Sequence, residues 1–308
     1  MGLQAGDYVL LPDATFAASA FAVSYLGAIP YFIDVDYEYS NIDTRLLEDA
    51  AGILRADGGR IGAIMPVDLY GTPADYASLT AVSEELNIPV LEDAAESLGS
   101  TVGSKRTGSF GEVAILSFNG NKILTTSGGG MLLTDDEGFA DSVRRWATQA
   151  REPTAWYEHR EIGYNYRLSN LLAALGVSQM KRIEAIVEQR RNVREWYQSR
   201  LSDVPGVSVL RDPPWGKSNS WLTVAMFDKA MYGEASEKVR LALEKCNIES
   251  RPVWKPMHQQ PVYADAPCLL TGASSKWFTE GLCLPSGPSM TLESVERVCS
   301  VVTRVLGY

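Results

Sequence analysis

Histidine and cysteine are scarce in this 308-residue chain, which has two histidines and four cysteines. The thiols, Cys246, Cys268, Cys283 and Cys299, lie in the last quarter with no CxxC spacing. A metal site is therefore not expected, and free thiols in a reducing compartment are. No window approaches the ~18 uninterrupted apolar residues of a membrane span. Met1-Gly-Leu-Gln-Ala-Gly-Asp7 has neither a basic n-region nor an apolar h-region, so a cytoplasmic protein without a membrane partner is expected. Positive charge is short as well: 28 Lys and Arg against 38 Asp and Glu give a net charge of −10. With no basic stripe to offset it, nucleic acid is not an expected partner, although a local anion pocket stays open. The phosphate-loop patterns GxGxxG and GxxxxGK[ST] do not occur, which removes the simplest nucleotide sites.

What is present is a rhythm of short apolar runs and helical patterns: Tyr8–Leu11 then Phe16–Leu26, Ile29–Val35 then Thr44–Leu54, Ile61–Val67 then Ala74–Leu86, and Pro89–Glu92. Such alternation predicts an α/β fold with a mainly parallel sheet covered on both faces. Val113–Phe118 and Gly130–Thr134 read as further strands, before a helix starting near Asp136. Leu168 to about Leu201 reads as one long, nearly breaker-free helix ending at Asp203-Val-Pro-Gly206, a plausible boundary. The expected domains are thus residues 1–203, and a smaller α+β unit, 204–308, with a strand at Ser220–Met226, a helix at Glu234–Lys245, a Pro-rich loop at Arg251–Pro267 and a helix at Leu292–Leu306.

In open α/β sheets ligands gather at the carboxyl ends of strands. Asp93 closes the run Val90-Leu-Glu-Asp93 and is followed by two alanines, which suits either a ligand carboxylate or a helix N-cap. Lys122 sits in the polar, Gly-rich turn Ser117-Phe-Asn-Gly-Asn-Lys122-Ile-Leu-Thr-Thr-Ser-Gly-Gly-Gly130. A lysine held there with reduced solvation can attack a carbonyl and form a Schiff base, whereas an ordinary loop lysine stays solvated and charged.

Asp93 and Lys122 on neighbouring strand ends resemble the pair in fold-type I pyridoxal-phosphate enzymes, specifically the DegT/StrS-type nucleotide-sugar aminotransferases. The resemblance runs along nearly the whole chain, through Gly6–Phe16, Gly27–Asp36, Glu92-Asp-Ala-Ala-Glu-Ser-Leu-Gly99, Ser117–Met131, Gly163-Tyr-Asn-Tyr-Arg-Leu-Ser-Asn170 and Arg251-Pro-Val-Trp-Lys-Pro-Met-His258. It implies pyridoxal 5'-phosphate as cofactor, with Lys122 bonded to it and shuttling a proton, and Asp93 keeping the pyridine nitrogen protonated. Phe16 would stack on the ring, although a Phe at a helix start is as readily a core residue.

Glu96 would face the phenolic oxygen where related enzymes often carry Gln or His; two negative groups there require one to hold a proton. Ser117 would bind the phosphate, Asn119 belongs to the same cofactor segment, and Asn165 would arrive from a partner subunit, unless it is only a turn residue. Tyr157, His159 and Arg167, also from the partner, and Lys255 and His258 in the Pro-rich loop would meet the substrate.

The resemblance further implies a homodimer with shared active sites, glutamate as amino donor, and a 4-keto-6-deoxy sugar nucleotide as acceptor. UDP-N-acetyl-hexos-4-ulose, the bacillosamine-pathway type, fits best, with GDP- or dTDP-linked sugars as alternatives. The family's N-terminal Gly-Thr/Ser phosphate segment has no match here, so weaker cofactor binding, or a non-catalytic remnant of the fold, is the competing expectation.

Overall fold

The computed structural model describes all 308 residues. Tyr8–Pro12, Ile29–Ile33 and Ile61–Ile64 are parallel neighbours, with Tyr8–Pro12 in the middle. Their side chains divide by alternation, as strands covered on both faces require. Leu10, Ile33 and Ile64 pack under the helices Leu47–Ala56 and Tyr76–Leu86, while Val9, Leu11, Phe32 and Ala63 face the helix Ala17–Tyr25. The parallel bridges Ile64 to Val90 and Val67 to Asp93 carry the sheet on to Leu91–Asp93. Val113–Ser117 follows in parallel, and Gly130–Leu133 closes that edge antiparallel.

Asp93 and Ser117 therefore sit at the carboxyl ends of adjacent parallel strands, in register through Asp93 and Ile115. The turn that bears Lys122 leaves the same end. Sequence and sheet thus agree on where the polar residues gather.

A second, antiparallel sheet has the order Arg251–Pro252, Gly281–Leu284, Thr223–Phe227, Val207–Val209. The helices Ile183–Leu201, Ala235–Lys245 and Leu292–Leu306 bury Tyr197, Val239 and Val295 against it. This smaller unit is not continuous in sequence. Cys268–Leu269 pairs in parallel with Phe32 and Ile33 of the first sheet, and Met257 and Tyr263 pack with Val9, Leu11 and Phe32. The Pro-rich segment thus crosses back to the large sheet, where its apolar residues find a core.

The single helix expected over residues 168–201 is two, Asn170–Met180 and Ile183–Leu201, with Arg182 at φ −116° and ψ 8° between them. Neither Gly nor Pro marks the break. It lets Ile183 and Val187 turn into a cluster with Ala94, Leu116 and Trp221, so tertiary burial overrides local propensity.

Candidate active site

The strand ends and the Lys122 turn enclose a cavity of about 440 Å³. It brings together Phe16, Asp93, Glu96, Ser117, Asn119 and Lys122, the cofactor residues expected from one subunit.

Asp93 is buried, at 7% exposure. Its Oδ2 accepts a 2.7 Å hydrogen bond from the Ser19 hydroxyl, which is itself 3.0 Å from Thr15 Oγ1, and its Oδ1 accepts from the Ala95 N–H at 3.1 Å. Burial raises the Asp93 pKa above the usual carboxylate value, although the Ser19 hydroxyl, the Ala95 N–H and the Lys122 charge all pull it down. Asp93 is therefore a carboxylate short of positive charge.

Glu96 is in the same position, with its pKa raised by burial against the pull of Lys122 and the Tyr70 N–H. Its Oε2 accepts from the Tyr70 N–H at 2.7 Å, and its Oε1 lies 3.4 Å from Lys122 Nζ. Tyr70 holds a left-handed φ of 57°. Next to it Gly71, at φ 90°, takes the Asn219 amide where a Cβ would stand. Asn219 in turn donates to the carbonyls of Glu96 and Leu98, at 2.8 and 3.0 Å, which fixes the turn carrying Glu96. Lys122 Nζ also lies 4.1 Å from the Trp221 ring centroid, a cation–π contact in a largely dry place.

The remaining expected residues lie elsewhere. Asn165 accepts from Gln149 Nε2 at 2.9 Å, His159 Nδ1 meets the Gln149 carbonyl at 2.8 Å, and Tyr157 stacks under Arg151. Arg167 lines a separate hollow against Gly130–Leu133. All four are exposed, and none lines the Lys122 cavity. Lys255 is exposed too, while His258 is tied by Nδ1 to the buried Asp13 at 2.6 Å. Within one chain the structure does not bring these six to Lys122.

Sequence reasoning missed Ser19, Thr15, Trp221 and Trp254 of the cavity wall. Trp254 stood in a singled-out segment without a role. Phe16 meets it edge-on, with centroids 5.8 Å apart.

Pyridoxal phosphate pairs a cationic aromatic ring with an aldehyde and a phosphate. The cavity suits it: two buried carboxylates face a single cation, aromatic and aliphatic side chains form the walls, and Ser117, Asn119 and Asn121 line the polar side.

Comparison with known proteins points the same way. Residues 1–303 match the model of the DegT/DnrJ/EryC1/StrS aminotransferase family. The pyridoxal phosphate-dependent aminotransferase EpsN of Bacillus subtilis is 40% identical over 97% of this chain and 78% of its own length. GDP-perosamine synthase of Caulobacter vibrioides is 34% identical over 99% of this chain and 81% of its own. Among solved structures, a DegT DnrJ EryC1 StrS aminotransferase from Brucella abortus superposes with a TM-score of 0.91 at 29% identity, covering 100% of this chain and 81% of that one.

Proposed function

This chain belongs to the DegT/DnrJ/EryC1/StrS aminotransferase family, a pyridoxal phosphate-dependent one, and from that premise we propose that it aminates the 4-keto carbon of a nucleotide-linked 6-deoxy sugar, with glutamate as donor. The acceptor we favour is a UDP-N-acetyl-hexos-4-ulose. The observation that carries the reading is Lys122 in a cavity with two carboxylates that burial leaves short of positive charge.

When bound, the cofactor supplies a carbonyl that condenses with amines and a ring that withdraws electrons. Lys122 would hold it covalently and, as a free amine, would carry a proton to and from the reacting carbon. Asp93, steadied by Ser19, would hold the proton on the pyridine nitrogen. Phe16 would cover one ring face, Ser117 and Asn119 would serve the phosphate, and Glu96 would hydrogen-bond the phenolic oxygen, one of the two keeping a proton. A partner subunit supplies Asn165, Tyr157, His159 and Arg167, while Lys255 and His258 meet the nucleotide end. The exposure of those partner-side residues and of the neighbouring apolar Ile162 and Leu171 supports a two-fold homodimer.

Borohydride reduction of the cofactor-loaded protein, followed by peptide mapping, is expected to label Lys122. A label on another lysine overturns the reading. A GDP-linked sugar is the second candidate, because three relatives are GDP-perosamine synthases; turnover of UDP-, GDP- and dTDP-linked keto sugars side by side decides among them.

A further inference from the structure

The Lys122 cavity is open toward the smaller unit. Asn121, Trp221 and Trp254 line it and also line an adjoining groove of about 810 Å³, whose other wall includes Arg190, Ser250 and Ser286. Three buried polar atoms around this groove have no partner: Arg190 Nε, Ser250 Oγ and Trp254 Nε1. Buried polar atoms are nearly always satisfied, and three of the eight unpartnered ones in the chain belong to residues that line this one groove.

Arg190 is the most telling of the three. It is 9% exposed, yet its only hydrogen bonds run from one terminal nitrogen to two neutral carbonyls, Trp221 O at 2.7 Å and Ser286 O at 3.0 Å. One turn along the same helix, Arg194 instead pairs with Asp212 through both terminal nitrogens, at 2.5 and 2.9 Å. The one acid in the groove wall, Glu249, is engaged by Arg251 at 2.6 Å. Burial brings the Arg190 pKa down to about 10, which leaves it charged at neutral pH. A buried guanidinium without a counter-charge is unfavourable, so an anion placed beside it is held strongly.

We propose that this groove is an anion subsite of the active site, where Arg190, Ser250 and Trp254 hold a carboxylate or phosphate group of one of the two substrates. The proposal rests on the reaction put forward above for which molecules visit the groove. Lys122 lies over the ring of Trp221, and Arg190 holds that residue's carbonyl. The anion thus belongs to a part of the substrate several bonds from the reacting carbon: the side-chain carboxylate of the donor or the diphosphate of the sugar nucleotide.

Calorimetric titration of the cofactor-loaded protein separates the two sources. Glutarate stands for the donor and UDP for the nucleotide, each titrated into wild type, Ser250→Ala, Trp254→Phe and Arg190→Lys. The subsite predicts that at least one probe loses fivefold or more in affinity in Ser250→Ala and Trp254→Phe, and more in Arg190→Lys, with the cofactor spectrum unchanged in Ser250→Ala, whose side chain lines the groove and not the cofactor cavity. Loss for glutarate assigns the carboxylate, loss for UDP the diphosphate, and loss for both a shared subsite. Affinities within twofold of wild type for both probes overturn the proposal. Should Arg190→Lys not fold, the two milder variants decide alone. A wild type that binds neither probe marks the failure of the proposed reaction instead; pyrophosphate is then the probe, and the subsite stands or falls on whether the variants weaken it fivefold.

Discussion

Asp93 shows what function asks of a single side chain. Its folded pKa lies above the unfolded value because burial penalises the charge more than Ser19 and the Ala95 N–H relieve it. A carboxyl raised in this way favours the fold most at pH values below its unfolded pKa, near 4, and loses that contribution as pH rises through the folded pKa. Once ionised, the buried carboxylate is a destabilising charge that a pyridinium would neutralise. Asp93→Asn keeps the shape without the charge. Stopped-flow absorbance is expected to show half-reactions slowed by roughly 10²–10⁴, while the cofactor-free variant melts no lower than wild type at pH 8. The structure starts no helix after Asp93, only a turn, so unchanged half-reaction rates would leave Asp93 the purely structural role of accepting from Ser19 and the Ala95 N–H.

Two elements carry the next tests. The helix Ala273–Glu280 begins at a glycine without a side-chain cap, and the missing acceptor comes from far along the chain. Asp34, at the end of Ile29–Ile33, accepts from the N–H groups of Thr271, Gly272, Ala273 and Ser274 at 2.7, 2.7, 3.0 and 2.8 Å. Burial alone would raise its pKa, but the donors outweigh burial and hold it below the usual carboxylate range. Its contribution is present above the unfolded pKa and is lost as pH falls through the lower, folded one. Asp34→Asn turns an amide N–H toward those donors and is expected to cost about 2–4 kcal/mol, read as a lowered denaturation midpoint at pH 7 that converges on wild type in strong acid.

The helix Asn170–Met180 is apolar on every side, yet none of its residues is buried, and Leu171 is 85% exposed. An apolar helix left in water calls for a cover. Under the proposed dimer, Leu171→Asp with Val177→Asp is expected to yield a folded monomer in sedimentation velocity. A variant that sediments as wild type would place the interface elsewhere.

At the scale of the whole molecule, one chain supplies only part of the proposed site. Asn165→Ala and Lys122→Ala subunits are each expected to be nearly inactive alone. When they are mixed, heterodimers contain one site with both residues intact, and activity should recover to about a quarter of wild type, the share of sites restored by random pairing. No recovery in verified heterodimers would mean that Asn165 serves its own subunit or no site at all.

The sequence by itself determined the alternation of strands and helices, the carboxyl-end placement of Asp93 and the Gly-rich turn around Lys122. These follow from local apolar runs, strand-end geometry and turn chemistry, all short-range signals. It also carried the family's motifs in order. Only the tertiary structure decided that Ser19, 74 residues from Asp93, would steady it, and that Trp221 would lie beneath Lys122 while Tyr70 held Glu96. It likewise decided the break at Arg182 and the return of Cys268–Leu269 to the first sheet. The physical reason is common to all of these. A strand's period or a turn's composition is fixed by neighbours in the chain, whereas a hydrogen bond or a buried face between distant segments is selected by packing, which no local stretch of sequence encodes.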